Sequence, residues 1–487
     1  MVNLTATPKP WDHIWSFLPE ILIFAFCAVM LLGGLIVRED RNKARLVWRT
    51  QWLIVGAGVF LFIQLFFPEA RLVHQASLYT KDTLGLFIGL LVIIFIWPWL
   101  ACSPKKLERS GITQMEYYVL LGLSLLGVFV MLSASHLLTL YLGAELQVLP
   151  LYALIAMRRT FSKAIEAGLK YFILGALASG LMVFGMAFIY GATGHLDYHL
   201  IHHMYAEPLS GIFTVGMIMI LAGLCFKVAA APFHMWAPDV YAGCTNGQTS
   251  VLAIVAKMAG IVVLIRLLYL PLQNLTEIWQ NFLVYVVITS LFVGALGALW
   301  QTKIRRLIAY SGISHMGFML MAFLSGVHDV SALLTYVVAY FLTLFLFFGC
   351  LKSLFQDGEE LTLLVHLKGL ARTHPLCACL LAVSIFSMMG IPPLAGFWGK
   401  FSVLLVVVES QYYLVAFLGV ISTVISAFYY LKIVKYMYFD TSEAVVVVKD
   451  RLWPYVLVML SVILFGWWQS FLETPFYQIT SQLLVGK

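Results

Sequence analysis

The chain has 487 residues, of which 62% are hydrophobic and only 11% charged. Soluble domains carry about 25% charged residues, so this sequence cannot cover a water-facing surface and reads as an integral membrane protein. The formal net charge of +7 is dispersed, and the absence of any G-x-G-x-x-G or G-x-x-x-x-G-K-[ST] string excludes a dinucleotide-binding domain and a P-loop, with no nucleic-acid reader in view.

A spanning helix needs about 20 apolar residues. Taken in chain order, such stretches fall at 14–37, 48–67, 83–101, 114–134, 136–157, 164–191, 210–241 (interrupted), 249–271, 281–300, 304–325, 331–355, 376–409 (interrupted), 411–431 and 454–472. The first is too long for the apolar core of a signal peptide and no small-residue cleavage site follows it, so it stays as a span. Lys and Arg concentrate in alternate connections: Arg38 to Arg49, Lys105 to Arg109, Arg158 to Lys163, Lys303 to Arg306, Lys352 to Arg372 and Lys432 to Arg451. The opposite side has only Lys9, Arg71, Lys81 and Lys487. The positive-inside rule therefore places the basic connections in the cytoplasm or its equivalent and both termini outside, and an even number of spans independently requires the termini to share a side.

Seven cysteines (27, 102, 225, 244, 350, 377 and 379) are scattered, mostly through apolar segments, and read as small hydrophobes. His195, His199, His202 and His203 stand at helical spacing in an outward loop, a face that zinc could use. With no second ligand cluster, a polar interfacial turn is the simpler reading.

Two apolar stretches are overlong and broken by proline, at Pro232 and Pro238 and again at Pro392 and Pro393. Interior proline removes a backbone hydrogen bond, and a carbonyl freed within lipid must face protein or water. Paired broken helices point to a transporter built from inverted repeats. The predicted fold is thus an all-α polytopic membrane protein of about 14 transmembrane helices, with two inverted five-helix repeats that each carry a broken helix. The expected divisions are 1–113, a three-helix N-terminal segment; 114–271, the first repeat; 272–436, the second; and 437–487, with the last helix.

Burying Lys or Glu at mid-membrane costs about 2.5–3.5 kcal/mol on insertion scales, so each such residue demands an explanation. Glu145 lies near the middle of the fifth span, Lys227 precedes the first break, Lys257 sits inside the eighth span and Lys400 follows the second break. A static ion pair cannot balance three lysines with one carboxylate, and Lys257 has apolar residues for two turns on either side, which rules out snorkelling to the headgroups. A lysine in a dry site loses proton affinity and a nearby carboxylate restores it, so such residues can take up and release protons. Three further residues carry two readings each. Lys170 with Glu166 is an i,i+4 surface ion pair or part of the proton path. His315, near Tyr310, Ser311 and Ser314 on the tenth span, fits a proton wire or helix packing through small polar groups. His234, in the first break, suits a relay or satisfies freed carbonyls. Asp239 is expected to cap the second half of the seventh span.

The segments GAELQVLPLYALIA, EAGLKYFILGALASG, FKVAAAPFHMWAPDVY, QTKIRRLIAYSGISHMGF and GIPPLAGFWGKF resemble the subunit N family of bacterial NADH–quinone oxidoreductase, respiratory complex I, which is subunit 2 in mitochondria. Related antiporter-like subunits of the L and M types usually carry histidine where this chain has Lys257, and the M type has glutamate at the position of Lys400. The resemblance implies a proton-translocating membrane-arm subunit in which Glu145 and Lys227 form a modulating pair, Lys257 is the central relay and Lys400 lies on the exit side. It further implies the other membrane-arm subunits as partners and no cofactor in this chain, with NADH, flavin, iron–sulfur clusters and quinone held elsewhere in the complex. The sequence departs from the family's proline-rich turn after Tyr241, reading AGCTNGQTS. A multisubunit cation/proton antiporter component and a non-transporting scaffold are the alternative readings.

Overall fold

The computed structural model describes residues 15, 17–37, 40–66, 75–76, 78–100, 115–203, 211–356, 359–441, 446–448 and 452–467. Cys102, Arg38, Arg71, Lys105, Lys106, Arg109, Lys449, Arg451 and the two ends of the chain with Lys9 and Lys487 fall outside them. Among the described residues eleven helices are long and apolar enough to cross a membrane. Three shorter apolar helices, Gly211–Lys227, Pro375–Met389 and Trp453–Ile463, stand where the seventh, twelfth and fourteenth spans are expected.

The chain divides into two compact units, Met1–Leu154 with Thr193–Met204, and Ile155–Ala192 with Tyr205–Lys487. The first is built on α1 (Leu18–Ile36), α2 (Asp40–Phe66), α3 (Thr83–Leu100), α4 (Glu116–Ser133) and α5 (Leu137–Ala156). Helix α2 begins well before residue 48, because Lys43, Arg45 and Arg49 are good helix formers and carry the helix on past its apolar stretch. Gly127 of α4 packs directly on the backbone of α5 at Leu146 and Gln147, a close approach that small residues permit between membrane helices. Glu20, in the first turn of α1, is buried against Lys81 at 2.5 Å and the Tyr79 hydroxyl at 2.7 Å.

The second unit contains α6 (Ser162–Thr193), α7 (Gly211–Lys227), α8 (Trp236–Gly243), α9 (Asn246–Ala253), α10 (Val255–Tyr269), α11 (Thr276–Leu299), α12 (Ile304–Met321), α13 (Val330–Leu351), α14 (Pro375–Met389), α15 (Ala395–Glu409), α16 (Tyr413–Tyr438) and α17 (Trp453–Ile463). Its core is the trio α9–α10, α12 and α13. The apolar windows of these three are 100%, 94% and 89% buried, against 39% for α6 and α16. The most inaccessible helices are therefore the ones that carry Lys257 and His315.

Both expected breaks are present and share a local geometry. Helix α7 closes with the Ala230 N–H donating to the Cys225 carbonyl, and α14 closes with the Ile391 N–H donating to Phe386. Each closure places one residue in the left-handed region, Gly390 (φ +91°) after α14 and Ala229 (φ +59°) after α7. Glycine accepts that conformation freely; alanine pays about 1–2 kcal/mol for it, so the first break is held by its surroundings. Around it the Phe226 carbonyl accepts both the Ala229 N–H at 3.0 Å and the Trp236 Nε1–H at 2.9 Å, and the Ala231 carbonyl accepts the Thr289 hydroxyl at 3.0 Å.

A third interruption was not expected. The eighth span divides at Ile254 into α9 and α10, and the Ala253 carbonyl accepts a hydrogen bond from the Tyr340 hydroxyl at 3.2 Å. The AGCTNGQTS segment starts α9 with a capping box, Thr245 and Gln248 satisfying each other's backbone N–H groups.

Candidate functional site

The site is assembled on one face of α12. Gly312, His315 and Phe318 recur every three residues, and six residues of α-helix advance about 9 Å. At the first of these positions Lys257, 2% exposed on α10, donates from Nζ to the Gly312 carbonyl at 3.0 Å. At the last, the Lys400 ammonium lies 5.3 Å from the centre of the Phe318 ring and donates to the Met389 carbonyl at 3.1 Å. That carbonyl belongs to the end of α14, just before the second break, so the break supplies the oxygen that a buried lysine needs.

Between the two lysines His315 is buried and bonded at both ring nitrogens. Nδ1 is 2.7 Å from the Tyr336 hydroxyl and Nε2 is 3.2 Å from that of Tyr430. Tyr430 also meets the Ser311 hydroxyl at 2.5 Å. From His315 a small cavity continues past Tyr340 and Thr343 to Ser387 and Gly396. Thr343 and Ser387 exchange a hydrogen bond of 2.8 Å, and the Ser387 hydroxyl accepts the Gly396 N–H at the start of α15, four residues ahead of Lys400. Polar groups thus line the interval between the lysines inside an otherwise apolar core. Other serines serve helix packing: Ser314 lies 3.3 Å from Ser422.

Lys227 is the last residue of α7 and is 7% exposed. The next residue, Val228, packs on Gly260 of α10, one turn beyond Lys257, where any larger residue would collide with it. The first break is thereby brought against the helix of the central lysine. Glu145 belongs to the first unit, half-buried near the middle of α5, with Tyr141 and Tyr152 on its face of the helix. His234 lies against the Pro232 backbone in the break, its Nδ1 buried and unpaired among the described residues.

Lys170 does form the i,i+4 pair with Glu166, at 2.8 Å, and also binds Asp239 at 2.9 Å. Asp239 binds Arg306 of α12 through its other oxygen, again at 2.9 Å. The expectation that Asp239 caps α8 is therefore corrected: the N-cap is Met235, no side chain caps it, and the Asp239 carboxylate joins three helices instead. Tyr336, Tyr340, Tyr430, Thr343 and Ser387 were not anticipated as part of the site. The one sequence signal for them is polar atoms within otherwise apolar spans. Among the described residues no group of three His, Cys, Asp or Glu is placed to hold a metal ion.

Residues 134–426 match the transmembrane family described as NADH:quinone oxidoreductase/Mrp antiporter. The chain is 40% identical over 431 residues to NADH-quinone oxidoreductase subunit N of Paramagnetospirillum magneticum, covering 87% of this chain and 88% of that one. It is 35% identical to subunit N of Hydrogenovibrio crunogenus, covering 94% and 97%. Among solved structures it is similar to a chain of respiratory complex I from Thermus thermophilus, with a TM-score of 0.78, 28% identity and coverage of 93% and 98%. A chain of the Mrp complex from Dietzia, 18% identical with a TM-score of 0.84 and 98% coverage of each, shares the fold. With its broken helices and buried lysines, the chain belongs to the NADH:quinone oxidoreductase/Mrp antiporter transmembrane family and, within it, to the subunit N group of NADH-quinone oxidoreductases.

Proposed function

We propose that this chain is a proton-translocating membrane-arm subunit of an NADH–quinone oxidoreductase, and that protons cross it through Lys227, Lys257, His315 and Lys400, with Glu145 as the carboxylate that modulates the path. NADH oxidation and quinone reduction, with the flavin, the iron–sulfur clusters and the quinone, belong to other subunits, and this chain contributes the ion path. The observation that carries the reading is the seating of Lys257 and Lys400 against Gly312 and Phe318, six residues apart on α12, with His315 between them. A buried ammonium is stabilised by the few oxygens that face it, here one backbone carbonyl each, so a proton leaving one lysine can be accepted by hydroxyl and imidazole groups in between.

The basic connections face the cytoplasm or its equivalent and both termini lie outside, in an energy-converting inner membrane, bacterial or mitochondrial. The two breaks mark corresponding positions of two inverted five-helix repeats, 114–271 and 272–436; their matching closures at Ala229 and Gly390 support this.

The test compares Lys257→Met with Lys257→His in the assembled complex. Methionine has similar length but cannot titrate, whereas imidazole binds and releases a proton near neutrality. Histidine is expected to retain more proton pumping than methionine at equal complex content. Equal rates in the two variants would make Lys257 a packing residue and refute the relay.

A further inference from the structure

On the surface of the second unit an open cleft of about 150 Å³ lies between α6, α8 and the start of α12. Lys163, Lys170, Lys303 and Arg306 line it, together with the carboxylates of Glu166 and Asp239. Lys170 and Arg306 are neutralised by those carboxylates through pairs of 2.8–2.9 Å. Lys163 and Lys303 make no ion pair or side-chain hydrogen bond among the described residues, so the cleft carries two uncompensated positive charges.

We propose that this cleft binds the headgroup of an anionic phospholipid. A basic pocket between membrane helices is a recognised means of holding such a headgroup. The apolar surface that the acyl chains require is contiguous with it. Leu169 and Ile173, each three residues on from a cleft residue of α6, are turned about 60° from it round the helix, and both are 56% exposed, with Ile165 at 45%. The phosphate meets Lys163 and Lys303, while the chains run down α6. A soluble anion would satisfy the lysines and leave the apolar face bare, which is why the cleft is assigned to a lipid.

The experiment uses the assembled complex, reconstituted separately with diazirine-bearing phosphatidylglycerol and phosphatidylcholine of identical chains, and maps the adducts by mass spectrometry. The phosphatidylglycerol probe should label the 162–173 segment in preference to the phosphatidylcholine probe, by about fivefold for each uncompensated lysine. Lys163→Gln with Lys303→Gln should abolish that preference, and Lys163→Arg with Lys303→Arg should keep it. Excess inorganic phosphate should not displace the label. Equal labelling by the two probes, unchanged preference in the glutamine variant, displacement by phosphate, or cross-linking of Lys163 and Lys303 to a neighbouring subunit would each overturn the proposal. Should the glutamine variant fail to assemble, the two probes on the parent complex still decide the matter.

Discussion

One methyl group on α12 would displace the central lysine without altering any titratable residue. A Cβ added at Gly312 would stand 2.7 Å from the Lys257 Nζ, which donates to that same residue's carbonyl at 3.0 Å. Ordinary contact requires about 3.5 Å, so the ammonium must retreat by about 0.8 Å, and the hydrogen bond then passes its useful limit. A hydrogen bond from a charged group is worth about 1.5–3 kcal/mol, which corresponds to at least a tenfold fall in occupancy of the Lys257 position beside the Gly312 carbonyl. The helix itself is not weakened, since alanine is a better helix former than glycine by about 1 kcal/mol. Gly312→Ala is therefore expected to lower proton translocation about tenfold or more in proteoliposomes while complex content stays normal. Translocation at the parent rate would refute the claim that the Gly312 carbonyl positions Lys257 for transfer.

His315→Phe removes both ring contacts with Tyr336 and Tyr430 while keeping an aromatic ring in the core, and should slow pumping severalfold in an assembled complex; a parent-like rate would take His315 off the path. Asp239→Asn breaks the bridge between α6, α8 and α12. Because Asp239, Lys170 and Arg306 are 37–42% exposed, each ion pair is worth at most about 1 kcal/mol after solvent screening. A small loss of heat resistance in the purified complex is expected, and outright failure of assembly would contradict that valuation.

The three buried lysines and the half-buried Glu145 were legible from sequence because lipid makes such charges expensive, and both breaks were legible because proline removes a helical hydrogen bond, although Pro150 is carried within α5. The polar side chains that lie between Lys257 and Lys400 were not legible. Tyr336, Tyr340 and Tyr430 lie in apolar spans, where a tyrosine has the same pattern as any packing aromatic, and only the meeting of α12, α13 and α16 turns their hydroxyls toward His315 and the Ala253 carbonyl. The division at Ile254 has no proline or glycine beside it to announce it. Asp239 reads as a cap because it lies near a helix start, whereas its partners lie 69 and 67 residues away in sequence. For His315 the wire and the packing readings could not be separated by spacing. The structure sets the histidine between two hydroxyls and Ser314 against Ser422.

The most direct test of the account is the ratio of protons translocated to quinone reduced, measured in proteoliposomes for Lys257→Met, Lys400→Met and the double variant at equal complex content. Residues on one path are coupled, so the double variant should lose no more than the worse single variant. Losses that simply multiply, or a ratio unchanged from the parent in both single variants, would contradict a single proton path along α12.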